Sequence, residues 1–209
     1  MRNILAIIVA GFFVVACSEA DGEYDAFANW EARNAVWFSL VLDSARQDIA
    51  ANGENSAWRI YRTLLKTAVA VNDSNYIVMK KLGSTKTISG ECPTYTDTVS
   101  IAYRGWLMER MDYVENTNVL SSVKSVFSQT FFGDFDPKTA GVVESKVSEF
   151  TEGFATALQH MQSGDEWMVY VPSGMGYGAE VNVTIPAYST LQFFVWMHSW
   201  RRTGIPGDM

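Results

Sequence analysis

The stretch from Gly153 to Phe193, GFATALQHMQSGDEWMVYVPSGMGYGAEVNVTIPAYSTLQF, decides the fold. It reads as a short amphipathic helix, a strand, a glycine-rich loop bearing Tyr177, a turn at Ile185-Pro186 and the start of a long closing strand. Phe150, Phe154, Ala157, Leu158 and Met161 recur at the spacing that puts them on one helical face. Gly164 follows where a helix end favours a residue of positive φ. From Leu191 to Trp200 the residues alternate, with Leu191, Phe193, Val195 and Met197 on an inner face and Gln192, Phe194, Trp196 and His198 on an outer one.

Working outward, Tyr76–Leu82 is rich in β-formers and reads as a first strand. Thr98–Leu107 alternates, placing Val99, Ile101 and Tyr103 on one face and Ser100, Ala102 and Arg104 on the other, as in a half-buried strand. Met108–Val126 is expected to be irregular, and loops this long are usually functional or mobile. Past Phe127-Ser128-Gln129-Thr130-Phe131 and a turn at Asp136-Pro137, Val142–Val147 suits a short strand.

The order and spacing of GF...ALQHM..GD, VYVP...GYG and IPAYSTLQFFV resemble the C-terminal half of FKBP-type peptidyl-prolyl cis-trans isomerases. The resemblance implies an α+β domain over residues 75–201, an antiparallel sheet wrapped around one short helix, with 202–209 as a C-terminal tail. It also implies a catalytic pocket made by Tyr103, Phe127, Phe154, Tyr177, Ile185 and Phe193. In that pocket the Tyr177 hydroxyl and the Thr151 backbone N–H meet the ligand carbonyl, with Ser128, Val143 and Phe150 at the wall. Two positions depart from the family pattern: Ser128 stands for a carboxylate, and Phe154 for the tryptophan of the floor. Both imply reduced turnover. They also leave open a different class of function, a binding module or chaperone that grips Pro-containing segments without efficient catalysis.

Such a site needs no covalent chemistry. Rotation about an X-Pro amide is opposed by about 18–20 kcal/mol of resonance. A dry aromatic cup disfavours the charge-separated resonance form, and a donor that binds the twisted carbonyl more strongly than the planar one lowers the barrier. The implied partners are Pro-containing polypeptides.

Arg2 and the apolar run Ile4–Ala16 have the dimensions of a signal-peptide core and are too short to span a bilayer. Val14-Val15-Ala16-Cys17 resembles a bacterial lipobox, so residues 1–16 are expected to be removed and Cys17 to be acylated. The expected location is the bacterial cell envelope, lipid-anchored, on the periplasmic or the outer surface. Residues 17–74 are expected to form an acidic tether and a helical segment. Two antiparallel helices are predicted across Asn52-Gly53-Glu54-Asn55, with Trp30, Trp37, Val41 and Ala45 on one and Trp58, Tyr61, Leu65 and Ala68 on the other. Their aromatic faces need a surface to dock on, either the C-terminal domain or a second copy in a homodimer. The outer face of the closing strand, with Trp106, forms an apolar stripe that these helices are expected to cover.

The 209 residues, 48% hydrophobic and 13% aromatic, can build a sizeable core. A net charge of −7 offers no electrostatic footprint for nucleic acid. With Cys17 acylated, Cys92 has no partner for an intramolecular disulfide. Two histidines, His160 and His198, and one remaining thiol give no metal or triad constellation, so no metal or cofactor is expected.

Overall fold

The computed structural model describes residues 24–63, 72–84, 90–113 and 119–203. The predicted leader and Cys17 lie outside them. The strands, in chain order, are β1 (Trp58–Arg62), β2 (Tyr76–Ser84), β3 (Thr98–Leu107), β4 (Arg110–Tyr113), β5 (Leu120–Val123), β6 (Val126–Gln129), β7 (Val143–Lys146), β8 (Asp165–Val171) and β9 (Leu191–Arg201). The described residues also form two α-helices, α1 (Trp30–Asn52) and α2 (Glu152–Leu158), and four short 3-10 turns. The main sheet is antiparallel and runs β1-β2-β8-β9-β3-β6, with β7 also paired to β3. β6 and β7 take opposite ends of β3, at Arg104–Trp106 and Thr98–Ile101.

The sheet wraps α2. Ile77, Met79, Val169, Val195 and Met197 meet Phe154, Leu158 and Met161 in one cluster. Leu158 and Met161 are fully buried, and each contributes about 1.5–3 kcal/mol by leaving water. The sequence predicts one buried stripe on this helix, yet every residue from Gly153 to Leu158 is buried. The 172–176 turn covers its other side. A Cβ on Gly153 would stand 2.4 Å from Val171 Cγ1 and 3.1 Å from the Met175 carbonyl oxygen, so the first turn of α2 docks only as glycine. Gly164 has the expected positive φ, +90°. It lies beyond Gln159, which ends the helix, and turns the chain into β8.

α1 forms as expected, but its buried seam is Trp30, Asn34, Phe38, Leu42 and Ala45. Trp37 and Val41 flank it. The predicted second helix is corrected: Trp58–Arg62 is an edge strand paired with β2 from Trp58↔Lys80 to Arg62↔Tyr76. Leu65 and Ala68 lie outside the described residues. In the strand, Trp58 and Ile60 face the α1 cluster of Phe38, Leu42, Ala45 and Val78, while Tyr61 faces the opposite layer and packs on the main core. The period that tertiary packing selects is therefore two rather than 3.6. α1 fills its docking face within its own chain.

The outer stripe is covered in two pieces. α1 lies over the β2–β8 end, where Trp37 meets Tyr170 at 6.0 Å. Trp196, 4% exposed, is covered by the 130–140 loop through Phe131, Phe135 and Ala140 and not by the N-terminal helix. The same cover buries Ala102, so β3 is closed on both faces over its first half rather than half-buried. Within Met108–Val126, expected to be irregular, β4 and β5 pair as an antiparallel ladder from Arg110↔Val123 to Tyr113↔Leu120. Tyr24 packs on it, its hydroxyl donating to the Met111 carbonyl at 2.8 Å and its ring lying 5.3 Å from Tyr113.

Candidate active site

β3, β6, β9, the start of α2 and the loop after β8 converge on a cavity of about 200 Å³. Its lining is Tyr103, Phe127, Ser128, Glu149, Phe150, Thr151, Phe154, Tyr177 and Phe193. The alternation of three strands puts Tyr103, Phe127 and Phe193 on the inner face together. Their neighbours on the register are Gly105↔Phe193 and Gly105↔Ser128, so a residue without a side chain sits behind the aromatic wall.

The rings contact edge to face or tilted, the arrangement their quadrupoles prefer. Phe154 and Phe193 centroids lie 4.6 Å apart, Phe150 and Phe154 5.1 Å, Phe127 and Phe193 5.4 Å, and Tyr103 and Phe154 5.9 Å. Phe154 and Phe193 are buried at the floor, while Tyr177 is 37% exposed at the lip. The remaining polar atoms are few. Tyr103 Oη and Ser128 Oγ share a hydrogen bond at 2.9 Å. Thr151 precedes the first residue of α2, where backbone N–H groups have no partner inside the helix.

Burial, and Tyr103 nearby, raise the Tyr177 hydroxyl above the ordinary phenol range, so at neutral pH it is a protonated donor. Glu149 is the one ionisable carboxylate in the lining. A hydrogen bond from Ser145 Oγ, and then one from the Lys146 N–H, hold its carboxyl below the ordinary range, so it carries its charge at the cavity mouth.

Eight of the ten residues expected at the pocket line it. Ile185 does not: it is 3% exposed inside the core cluster, its N–H held by Asn182 Oδ1 at 2.8 Å. Val143 does not either, since it opens β7 opposite Ile101 and faces solvent. Nor does any described residue of the segment 108–126. Glu149 was missed by the sequence reading, although it directly precedes Phe150 and Thr151, both assigned to the wall. Among the described residues, no cluster of His, Cys, Asp or Glu is grouped to hold a metal ion.

The chain is similar to several solved structures. One is a peptidyl-prolyl cis-trans isomerase of Pseudomonas syringae pv. tomato, at 18% identity, covering 78% of this chain and 96% of that one, with a TM-score of 0.47. Another is the three FKBP domains of wheat FKBP73, at 21% identity over 60% of this chain and 46% of that one, with a TM-score of 0.46. FkpA from Escherichia coli matches at 19% identity over 84% of this chain and 70% of that one, with a TM-score of 0.45. The profile of the family described as FKBP-type peptidyl-prolyl cis-trans isomerase matches residues 89–198, more than half of the chain and all of β3 to the turn before β9. A run of that length, holding every residue of the aromatic cavity, places the chain in the FKBP-type peptidyl-prolyl cis-trans isomerase family.

Proposed function

We propose that the cavity between β3, β6, β9 and α2 is where this isomerase turns X-Pro bonds, and that it does so on envelope or secreted proteins from a lipid anchor at Cys17. The observation that carries the reading is the ring cluster: Tyr103, Phe127, Phe154 and Phe193 pack around one hollow, with Tyr177 at its lip. Its size suits a pyrrolidine ring with its flanking amide.

The proline ring sits on Phe154 and Phe193, and the apolar walls strip water from the amide. That favours the twisted bond over the planar one, whose resonance form is charge-separated. The Tyr177 hydroxyl and the Thr151 N–H are the donors that meet the twisted carbonyl. Ser128 positions the Tyr103 hydroxyl, and Phe150 closes the wall. For the anchor, the support is the apolar run ending in Val14-Val15-Ala16-Cys17. No described helix is long and apolar enough to cross a membrane.

The second reading, a module that grips Pro-containing segments without efficient turnover, is favoured by Ser128 and Phe154 at two lining positions. A protease-coupled assay on X-Pro tetrapeptides separates the two. The isomerase reading expects saturable turnover, with Tyr177→Phe about tenfold lower in kcat/KM and Phe193→Ala near background. Background rates for the unaltered chain, with binding to unfolded proteins intact, would establish the module instead.

A further inference from the structure

The loop that carries Tyr177 is tied to the N-terminal helix. Trp30 Nε1 donates to Ser189 Oγ at 2.9 Å, and Ser189 Oγ donates in turn to the Pro186 carbonyl at 2.7 Å. One helical turn on, Asn34 Oδ1 accepts the Thr190 N–H at 2.8 Å, while Asn34 Nδ2 donates to the Trp30 carbonyl at 2.8 Å. Thr190 Oγ1 donates to the Asn34 carbonyl at 3.3 Å. The bracket then reaches the site, because the Tyr188 N–H donates to the Gly178 carbonyl at 2.7 Å, and Gly178 is bonded directly to Tyr177.

Three features make this more than a packing contact. Asn34 is 1% exposed, so an amide on the buried seam of α1 is retained where an apolar residue would otherwise pack. Both its side-chain partners are backbone groups, one in each of the segments it joins. Tyr188 adopts φ +60°, a left-handed conformation costing a non-glycine residue about 1–2 kcal/mol. Such a residue persists only where its surroundings fix it, and the flanking bonds from Ser189 and Thr190 to α1 supply that.

Resting on the reading of the cavity as the isomerase site, we propose that Trp30 and Asn34 are positioning residues for the reaction. They hold residues 186–190, and through the Tyr188–Gly178 hydrogen bond they hold the Tyr177 hydroxyl where the twisted carbonyl will be. α1 is then part of the catalytic apparatus rather than a spacer. A donor misplaced by a fraction of an ångström still lets substrate in but stabilises the transition state less. Loss of the bracket therefore lowers kcat and leaves KM nearly as it was.

The test uses the full chain in the protease-coupled assay, with Trp30→Phe, which keeps the ring and removes the donor, Ser189→Ala, which removes the acceptor, and Asn34→Ala. Leu40→Ala, on the exposed face of α1, is the control expected to match the unaltered chain. The expected result is a three- to tenfold fall in kcat for each bracket variant, KM within twofold, and circular dichroism of a folded chain. In a Tyr177→Phe background the same changes cause no further loss, because they act through that hydroxyl. Undiminished kcat in the bracket variants, or losses that multiply with Tyr177→Phe, overturns the proposal. If Tyr177→Phe is itself fully active, the reading of the cavity fails first, and that result is distinct from the other two. Should Asn34→Ala not fold, Trp30→Phe and Ser189→Ala decide the matter from either side of one bond.

Discussion

The Tyr103 hydroxyl lies 2.9 Å from Ser128 Oγ, a neutral pair at a position where a carboxylate would give a charge-assisted bond. A neutral hydrogen bond contributes about 0.5–1.5 kcal/mol and one to a charged group about 1.5–3 kcal/mol. Since Tyr103 packs edge-on against Phe154, its fixation sets the shape of the wall. Ser128→Asp is therefore expected to raise kcat/KM about fivefold, a gain of about 1 kcal/mol, and Ser128→Ala to lower it about threefold. Rates on one X-Pro tetrapeptide for the three chains measure this. Equal rates for Asp and Ala at this position would show that the pair does not matter to turnover.

Gly105 sets the cavity's volume from behind. A Cβ there would stand 2.6 Å from Phe127 Cζ and 2.9 Å from Phe193 Cε1, so Gly105→Ala has to push both rings into the hollow. Overpacking of this kind costs about 1–3 kcal/mol. The expected outcome is a folded chain with a lowered melting temperature and a KM raised at least tenfold. Phe193→Leu in the same chain should restore part of the binding by making room. A Gly105→Ala chain with unaltered KM would mean that substrate does not enter between these rings.

The parts legible in the sequence are those where one period dominates. The alternation of β3 and β9 and the helical spacing around Phe154 bring Tyr103, Phe150, Phe154 and Phe193 to one face, whereas Phe127, Ser128, Thr151 and Tyr177 are implied only by the resemblance to the family. β1 was not legible, because Trp58 and Tyr61 are three apart and satisfy a helix, whereas Trp58 and Ile60 satisfy a strand. Only the presence of β2 and α1 on either side decides between them. Asn34 is similar: a polar residue on a helix reads as solvated until its partner, 156 positions away, is known. Ile185 is implied in the pocket by the family resemblance alone, but its N–H is held by the Asn182 side chain and it packs into the core cluster instead.

Glu149 gives the cavity mouth a negative charge, and the Ser145 hydroxyl keeps it ionised below the ordinary carboxylate range. Substrates with Lys or Arg beside the proline should turn over two- to fivefold faster than their Glu counterparts at low salt. An exposed charge acts weakly and is screened within about 10 Å at 0.1 M salt. The preference should therefore shrink as salt rises, vanish in Glu149→Gln and invert in Glu149→Lys. It should persist from neutral pH down to the mildly acid range, since the carboxyl protonates only below its usual value. A Lys-over-Glu preference that survives Glu149→Lys would assign it to another group.

His160 ends the α2 region with its ring stacked on Tyr61 of β1, centroids 3.6 Å apart and planes 6° from parallel. Burial lowers its pKa below the ordinary value of 6.5, so the folded chain holds it neutral while the unfolded chain protonates it sooner. The stability this gives is present above about pH 6.5 and is lost as pH falls toward the depressed folded value, at no more than about 1.4 kcal/mol per pH unit for one proton. Asp97 and Glu149, both lowered, cost stability only below the ordinary carboxylate range, and Glu166, raised by burial, acts in the opposite direction, gaining stability as pH falls. Melting temperature followed from about pH 7.5 to 5.5 in the unaltered chain and in a His160 variant thus separates this histidine from His198. The unaltered chain should lose several degrees over that range. His160→Phe, which keeps a ring against Tyr61 and cannot take a proton, should hold nearly level, whereas two curves of equal slope would place the acid-sensitive group elsewhere.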